Sequence, residues 1–137
     1  MASPLAARLS GAWRLVEGSL CDPDGRLALR LLTGSLVYSP AGVVSAQVMV
    51  DPASPDRSLF DRLGRYVAYH GRFETSLAPA MVVHHVRGCS VPDWVGLSLP
   101  RLVRFEGRHL ILSARLQHQF SDSTEAGDIR WARVEPL

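Results

Sequence analysis

Runs of alternating apolar and polar residues, each closed by Gly, Pro, Asp or Ser, recur along the 137 residues of the chain. Alternation of period two suits a half-buried strand and defeats a helix, whose apolar face needs a repeat of about 3.6 residues. About eight such runs stand out: residues 12–20, 35–39, 43–50, 66–75, 81–87, 99–106, 109–116 and 128–135. Asp22-Pro23-Asp24-Gly25 ends the first with a reversal signal. Pro40-Ala41-Gly42 joins the second to the third, and Glu106-Gly107-Arg108 the sixth to the seventh, both at hairpin spacing. The pattern breaks over residues 51–64, where Pro52 and Pro55 precede Leu59, Phe60 and Leu63 at helical spacing, and again at Pro92-Asp93-Trp94. One short helix is expected over the first break, placed as a lid. A polar loop over residues 121–127 precedes the last strand.

An antiparallel meander of about eight strands in this length most simply closes into a barrel, which removes the exposed edges of an open sheet. The expected fold is therefore all-β, an antiparallel barrel with one short helix, spanning residues 1–137 as one domain; a β-sandwich is the alternative. With 47% hydrophobic residues the chain can build a core of its own. At this size folding buries roughly two thirds of the unfolded chain's surface, so neither a disulfide nor a metal is needed for stability.

Several function classes fall away on composition. All fifteen basic residues are Arg, scattered among acidic ones to a net charge of +2, without the cluster that neutralises consecutive phosphates, so no nucleic-acid partner is expected. Cys21 and Cys89 lack CxxC spacing and read as two buried thiols. No stretch is long and apolar enough to span a bilayer, and the first ten residues lack a leader pattern, so a cytoplasmic protein without a membrane partner is expected. Gly-rich phosphate loops are absent, and no cofactor is expected. His84 and His85 are neighbours on a strand and point to opposite faces, so they cannot chelate one ion, and no metal is expected. Homodimerisation is left open.

Charged positions mark the outer face of each strand and their neighbours the inner. His70, Arg72 and Glu74 turn Val67, Tyr69, Gly71 and Phe73 inward, and Arg87 turns Val82, His84 and Val86 inward. Arg14 sets Trp13, Leu15 and Glu17 inside, where a carboxylate is costly unless hydrogen-bonded or near a cation. On the second and third strands alternation does not choose a face, which leaves Tyr38 and Gln47 as candidates. An apolar interior holding Glu17, Tyr69 and His84, with Tyr38 and Gln47, has the composition of a small-molecule site. A His beside a carboxylate can exchange protons near neutral pH, and a Tyr hydroxyl can donate to a developing enolate oxygen. The competing reading makes His84 and Tyr69 hydrogen-bonded core residues and puts Glu17 at the rim, where a bulge would move it.

Several segments carry a resemblance: Leu9-Ser10-Gly11-Ala12-Trp13-Arg14-Leu15, Val37-Tyr38-Ser39-Pro40-Ala41-Gly42 followed by Ser45-Ala46-Gln47, and Tyr66-Val67-Ala68-Tyr69-His70-Gly71-Arg72-Phe73. Val83-His84-His85-Val86-Arg87-Gly88, Pro92-Asp93-Trp94-Val95-Gly96 and Val103-Arg104-Phe105-Glu106-Gly107-Arg108-His109-Leu110 follow. In this order they resemble the bacterial and fungal lipocalin-like domain family, over about residues 9–134. The resemblance implies a lipocalin-like barrel with a central cavity, and similar small barrels serve both as binders of apolar molecules and as cyclases or isomerases in secondary metabolism. Its motif positions fall here on Trp13, Tyr38, Gln47, Tyr69, His84, His85 and Trp94. This chain departs from the family at Phe73, where relatives often carry Tyr, and in a shortened segment between Val50 and Tyr66.

The function expected first is cofactor-independent acid–base isomerisation or cyclisation of a small apolar molecule. His84 would be the proton shuttle, Tyr69 or Tyr38 the oxyanion donor and Glu17 the carboxylate, with Trp13, Phe73 and Trp94 as walls. The alternatives are a non-catalytic carrier or sensor of a small hydrophobic ligand, and a barrel filled by its own side chains.

Overall fold

A computed structural model describes residues 3–116 and 124–136. Eight strands, β1 (Gly11–Cys21), β2 (Leu27–Tyr38), β3 (Val43–Val50), β4 (Tyr66–Leu77), β5 (Ala80–Cys89), β6 (Ser98–Glu106), β7 (His109–Arg115) and β8 (Ala126–Arg133), form one antiparallel sheet. Each pairs with the next, and β8 returns to β1 from Trp13↔Arg133 to Cys21↔Ala126, closing the barrel. Of the polar loop expected over 121–127, residues 121–123 lie outside the described residues.

Two short helices cover opposite ends. Helix α1 (Pro4–Leu9), capped by the Ser3 hydroxyl, buries Leu5 and Leu9 at the end where β1 begins and β2 finishes. The Trp13 indole donates to the Leu9 carbonyl (2.9 Å), and the Arg133 guanidinium stacks on the Trp13 ring while donating to the Ser10 and Arg8 carbonyls. This end is a solid plug. Helix α2 (Arg57–Leu63) occupies the break expected to be helical, its N-terminus capped by Asp56 and Leu59 and Leu63 buried. The Asp56 amide donates to the Ala28 carbonyl, which holds α2 over the other end.

Strand β2 begins at Leu27, well before residue 35, where the alternation becomes legible. Its first half, Leu27-Ala28-Leu29-Arg30-Leu31-Leu32, carries Leu, Ala and Arg rather than β-branched or aromatic residues. Pairing with β1 on one side, and on the other the Asp51 and Asp56 amides bonded to the Arg30 and Ala28 carbonyls, overrides that local preference.

Two bulges set which side chains reach the interior. Between Leu15 and Glu17 the β1–β8 register slips by one, so the inward series runs Trp13, Leu15, Gly18, Leu20 and Glu17 is turned out. Between His70 and Gly71 the β4–β5 register slips likewise, with Arg87 the extra residue. There the backbones approach so closely that a Cβ on Gly71 would lie 1.8 Å from the His85 carbonyl oxygen. Only glycine fits, since neither partner is a movable side chain. Gly71→Ala should therefore lower stability by about 3 kcal/mol or more, measured by denaturant unfolding; a cost below about 1 kcal/mol would show that the bulge can relax.

Candidate functional site

Inside the barrel, where nearly every other group is hydrocarbon, β5 presents His84, 1% exposed. Both ring nitrogens are engaged: the Tyr38 hydroxyl lies 2.6 Å from Nε2 and the Tyr69 hydroxyl 2.6 Å from Nδ1. Tyr38 comes from the end of β2 and Tyr69 from β4, so the chain Tyr38–His84–Tyr69 ties three strands together across the interior. Phe73 packs edge-on against Tyr38 at 4.9 Å between ring centroids, and Trp94 lies beside Tyr69.

Hydrogen-bond satisfaction sets the direction of this chain. A neutral imidazole offers one N–H and one lone pair, so one tyrosine must donate to it and the other accept. The Tyr38 hydroxyl is fully buried, with His84 as its partner. Were it to accept, its own proton would be sealed away without an acceptor, which costs about 1–3 kcal/mol. Tyr38 therefore donates to Nε2, Nδ1–H donates to the Tyr69 oxygen, and the Tyr69 proton is left to turn into the cavity that Tyr69 borders. Burial, with the Arg101 cation and then His85 adding to it, holds His84 well below its ordinary value, so the ring is neutral at physiological pH. Burial first, then the neighbouring Tyr69, raises Tyr38, and the chain carries no net charge.

Above His84, on the α2 side, lies a cavity of about 100 Å³. For scale, an apolar protein cavity of about 150 Å³ takes up benzene, so a single ring would enter this space only if its walls gave way a little. Its walls are mostly aliphatic, with Leu29, Leu36, Val67 and Leu112 among them. Beside Tyr69 and His84, Trp131 and Arg101 border it. The buried Trp131 indole N–H has no hydrogen-bond partner among the described residues.

The residues singled out from the sequence separate into three groups. His84, Tyr69 and Trp94 border the cavity, with Tyr38 directly behind His84. Trp13 and Phe73 do not border it: Trp13 belongs to the α1 plug and Phe73 backs Tyr38, so neither is a cavity wall. Glu17 and Gln47 are corrections of another kind. The β1 bulge leaves the Glu17 side chain 78% exposed on the outside, 3.9 Å from Arg130, so it supplies no carboxylate to His84. Gln47 lies at the cavity border, but it is exposed and its carboxamide oxygen accepts from the Tyr66 hydroxyl (2.5 Å). His85 faces outward, bonded to the Ser98 hydroxyl at 2.8 Å. Cys21 and Cys89 are half-buried rather than fully buried, and desolvation raises the Cys89 thiol.

Arg101 and Trp131 were not singled out, although alternation points to both. Leu99 and Val103 are buried while Ser98, Pro100, Leu102 and Arg104 are exposed, which places Arg101 on the inner face of β6. On β8, exposed Asp128 and the ion-paired Arg130 bracket Ile129 and Trp131 in the same way.

A closed eight-stranded antiparallel barrel around a small apolar cavity is the architecture of the lipocalin-like domains. The chain belongs to that family: the lipocalin-like domain matches residues 10–134. Among characterised proteins it is similar to the 4'-hydroxy-3'-methoxypropiophenone carrier protein of Aspergillus oryzae, 29% identical over 111 residues, covering 69% of this chain and 99% of the relative. No solved structure matches it. No helix among the described residues is long and apolar enough to cross a membrane.

The two tyrosines should differ on mutation. Tyr38→Phe leaves Nε2 without a partner in a sealed place and should cost about 1–3 kcal/mol, whereas Tyr69→Phe opens Nδ1 toward a cavity that can supply water, and should cost less. Denaturant unfolding of both variants checks the order, and equal losses would show that water does not reach Nδ1 through the cavity. His84 also predicts a pH dependence. Its folded value lies below the ordinary 6.5, so below about pH 6.5 the unfolded chain takes up a proton that the folded one refuses. Stability is full above that pH and falls as pH drops toward the folded value, by up to about 1.4 kcal/mol per pH unit. Unfolding measured between pH 7 and 5 should show this slope reduced in His84→Gln.

Proposed function

We propose that the barrel is a carrier or binding protein for a single-ring aromatic molecule bearing a carbonyl group. The observation that carries this reading is the polarity of the hydrogen-bond chain. It leaves the Tyr69 O–H to turn into a mostly apolar space of about 100 Å³. A carbonyl oxygen is the complement of such a donor, and the aliphatic walls take the ring. The likeness to a carrier protein whose name gives an aryl ketone agrees with this class of ligand.

Acid–base isomerisation or cyclisation is the second reading, favoured by the same chain. In that reading a base takes the substrate's α-proton while Tyr69 protonates the enolate oxygen; Nδ1–H then replaces the Tyr69 proton and the Tyr38 proton moves to Nε2, which leaves Tyr38 as the anion until the α-proton returns to it. Two observations weigh for carriage instead. Glu17 is outside the barrel and no other carboxylate borders the cavity among the described residues. His84, held neutral well below its ordinary value, is a weak base.

Propiophenone added to the protein should quench or shift the fluorescence of Trp94 and Trp131, saturating at one equivalent. Tyr69→Phe should weaken it about tenfold, the loss of one buried hydrogen bond, and Ala114→Phe, which fills the cavity, should abolish it. Ligand recovered unchanged after prolonged incubation supports carriage. Isomerised or cyclised product from a panel of aryl ketones, lost in His84→Gln, would establish the second reading, and no saturable binding across the panel would refute both.

A further inference from the structure

The barrel wall is incomplete at one place. Strand β6 pairs with β5 through Ser98–Leu102 and with β7 only from Val103 onward, while β7 beyond Leu112 pairs only with β8. The two strands part at Ser113, whose hydroxyl takes the Leu102 amide (2.7 Å) in place of a backbone carbonyl. Amide directions alternate along a strand, so the amide of residue 100 would face the same side as that of Leu102. Residue 100 is proline and has no N–H to leave unsatisfied, which suits it to a strand margin. The seam lies between the cavity and an outer depression, and Leu99, Arg101, Ala114 and Arg115 border both.

Two of those four residues are cations. Neither Arg101 nor Arg115 has a carboxylate within ion-pair distance among the described residues, and the nearby Asp128 is taken by Arg104 at 3.1 Å. An unpaired arginine on an outer surface is ordinary. Arg101 is different because it lies on the inner face of β6, where its strand neighbours Leu99 and Val103 are core, and its charge bears on both Tyr38 and His84. A guanidinium beside an apolar cavity, with no carboxylate paired to it among the described residues, is suited to an anion carried by a ligand.

We infer that the ligand carries an anionic oxygen, a carboxylate or an ionised phenol, held by Arg101 with Arg115 at the β6–β7 seam while its ring fills the cavity. The inference rests on the small-molecule reading above and narrows it to acidic aromatics. The ring would lie with its anionic end toward the seam and any carbonyl toward the Tyr69 hydroxyl. The same two arginines would attract such a ligand to the seam.

Three probes separate the possibilities on the intact protein by tryptophan fluorescence titration: propiophenone, 4-methoxybenzoate and its neutral isostere 4-methoxybenzamide. The expected result is benzoate bound about tenfold or more tightly than the amide, the scale of a charge-assisted hydrogen bond. Arg101→Gln should erase that preference, and Arg101→Lys should restore part of it. For the phenol class, 4-hydroxypropiophenone should show the absorbance of its ionised form on the protein at a pH where it is neutral in solution. Equal binding of benzoate and amide by the wild type, with the phenol bound neutral, would overturn the inference while propiophenone binding kept the carrier reading. Failure of all the probes would overturn both.

Discussion

The interior of this protein depends on β8 closing onto β1. Closure satisfies the backbone of both strands and buries the side chains that meet between them. In contact with solvent the hydrogen bonds of His84 would be exchanged freely and would orient nothing. Buried, with a tyrosine hydroxyl on each ring nitrogen, the imidazole serves as a fixed joint between β2, β4 and β5. The same low polarity that makes this joint rigid keeps it uncharged.

From that joint the barrel divides into two halves with different roles. Toward α1 it is solid, with Trp13 locked to Leu9 and Phe73 set against Tyr38. Toward α2 it is hollow. The sealed half dictates the direction of hydrogen bonding in the hollow half, because a buried Tyr38 proton has nowhere to go but Nε2. A hydroxyl deep in the core thus determines what a hydroxyl at the cavity wall can offer: Tyr69 accepts from Nδ1, and its own proton is left to donate, because of a bond at Nε2 in which it takes no part.

Most of the strands were legible because the period of two survives wherever one face is wet. His84, Tyr69 and Val67 point inward as their charged neighbours require, and Arg101 and Trp131 obey the same rule. Legibility failed at two kinds of place. Residues 27–34 pair first with β1 and, from Leu31, with β3, so the strand is held by partners distant in sequence rather than by its own composition. Glu17 failed for a different reason: one extra residue in β1 reverses the phase of everything after it, and nothing local announces a bulge.

Alternation and turn chemistry, which act between residues close in the chain, were enough by themselves to determine an antiparallel barrel, its helical interruption and the inward set on β4 and β5. Register, bulges and the meeting of distant side chains belong to the tertiary structure. It alone decided that Tyr38 and Tyr69, 31 positions apart in the sequence, would take the two nitrogens of one imidazole, that Glu17 would face water, and that β6 and β7 would part beside Arg101. The physical reason is that each of these outcomes depends on how the strands are offset against one another, and an offset of one residue, invisible in either strand alone, exchanges the inside for the outside.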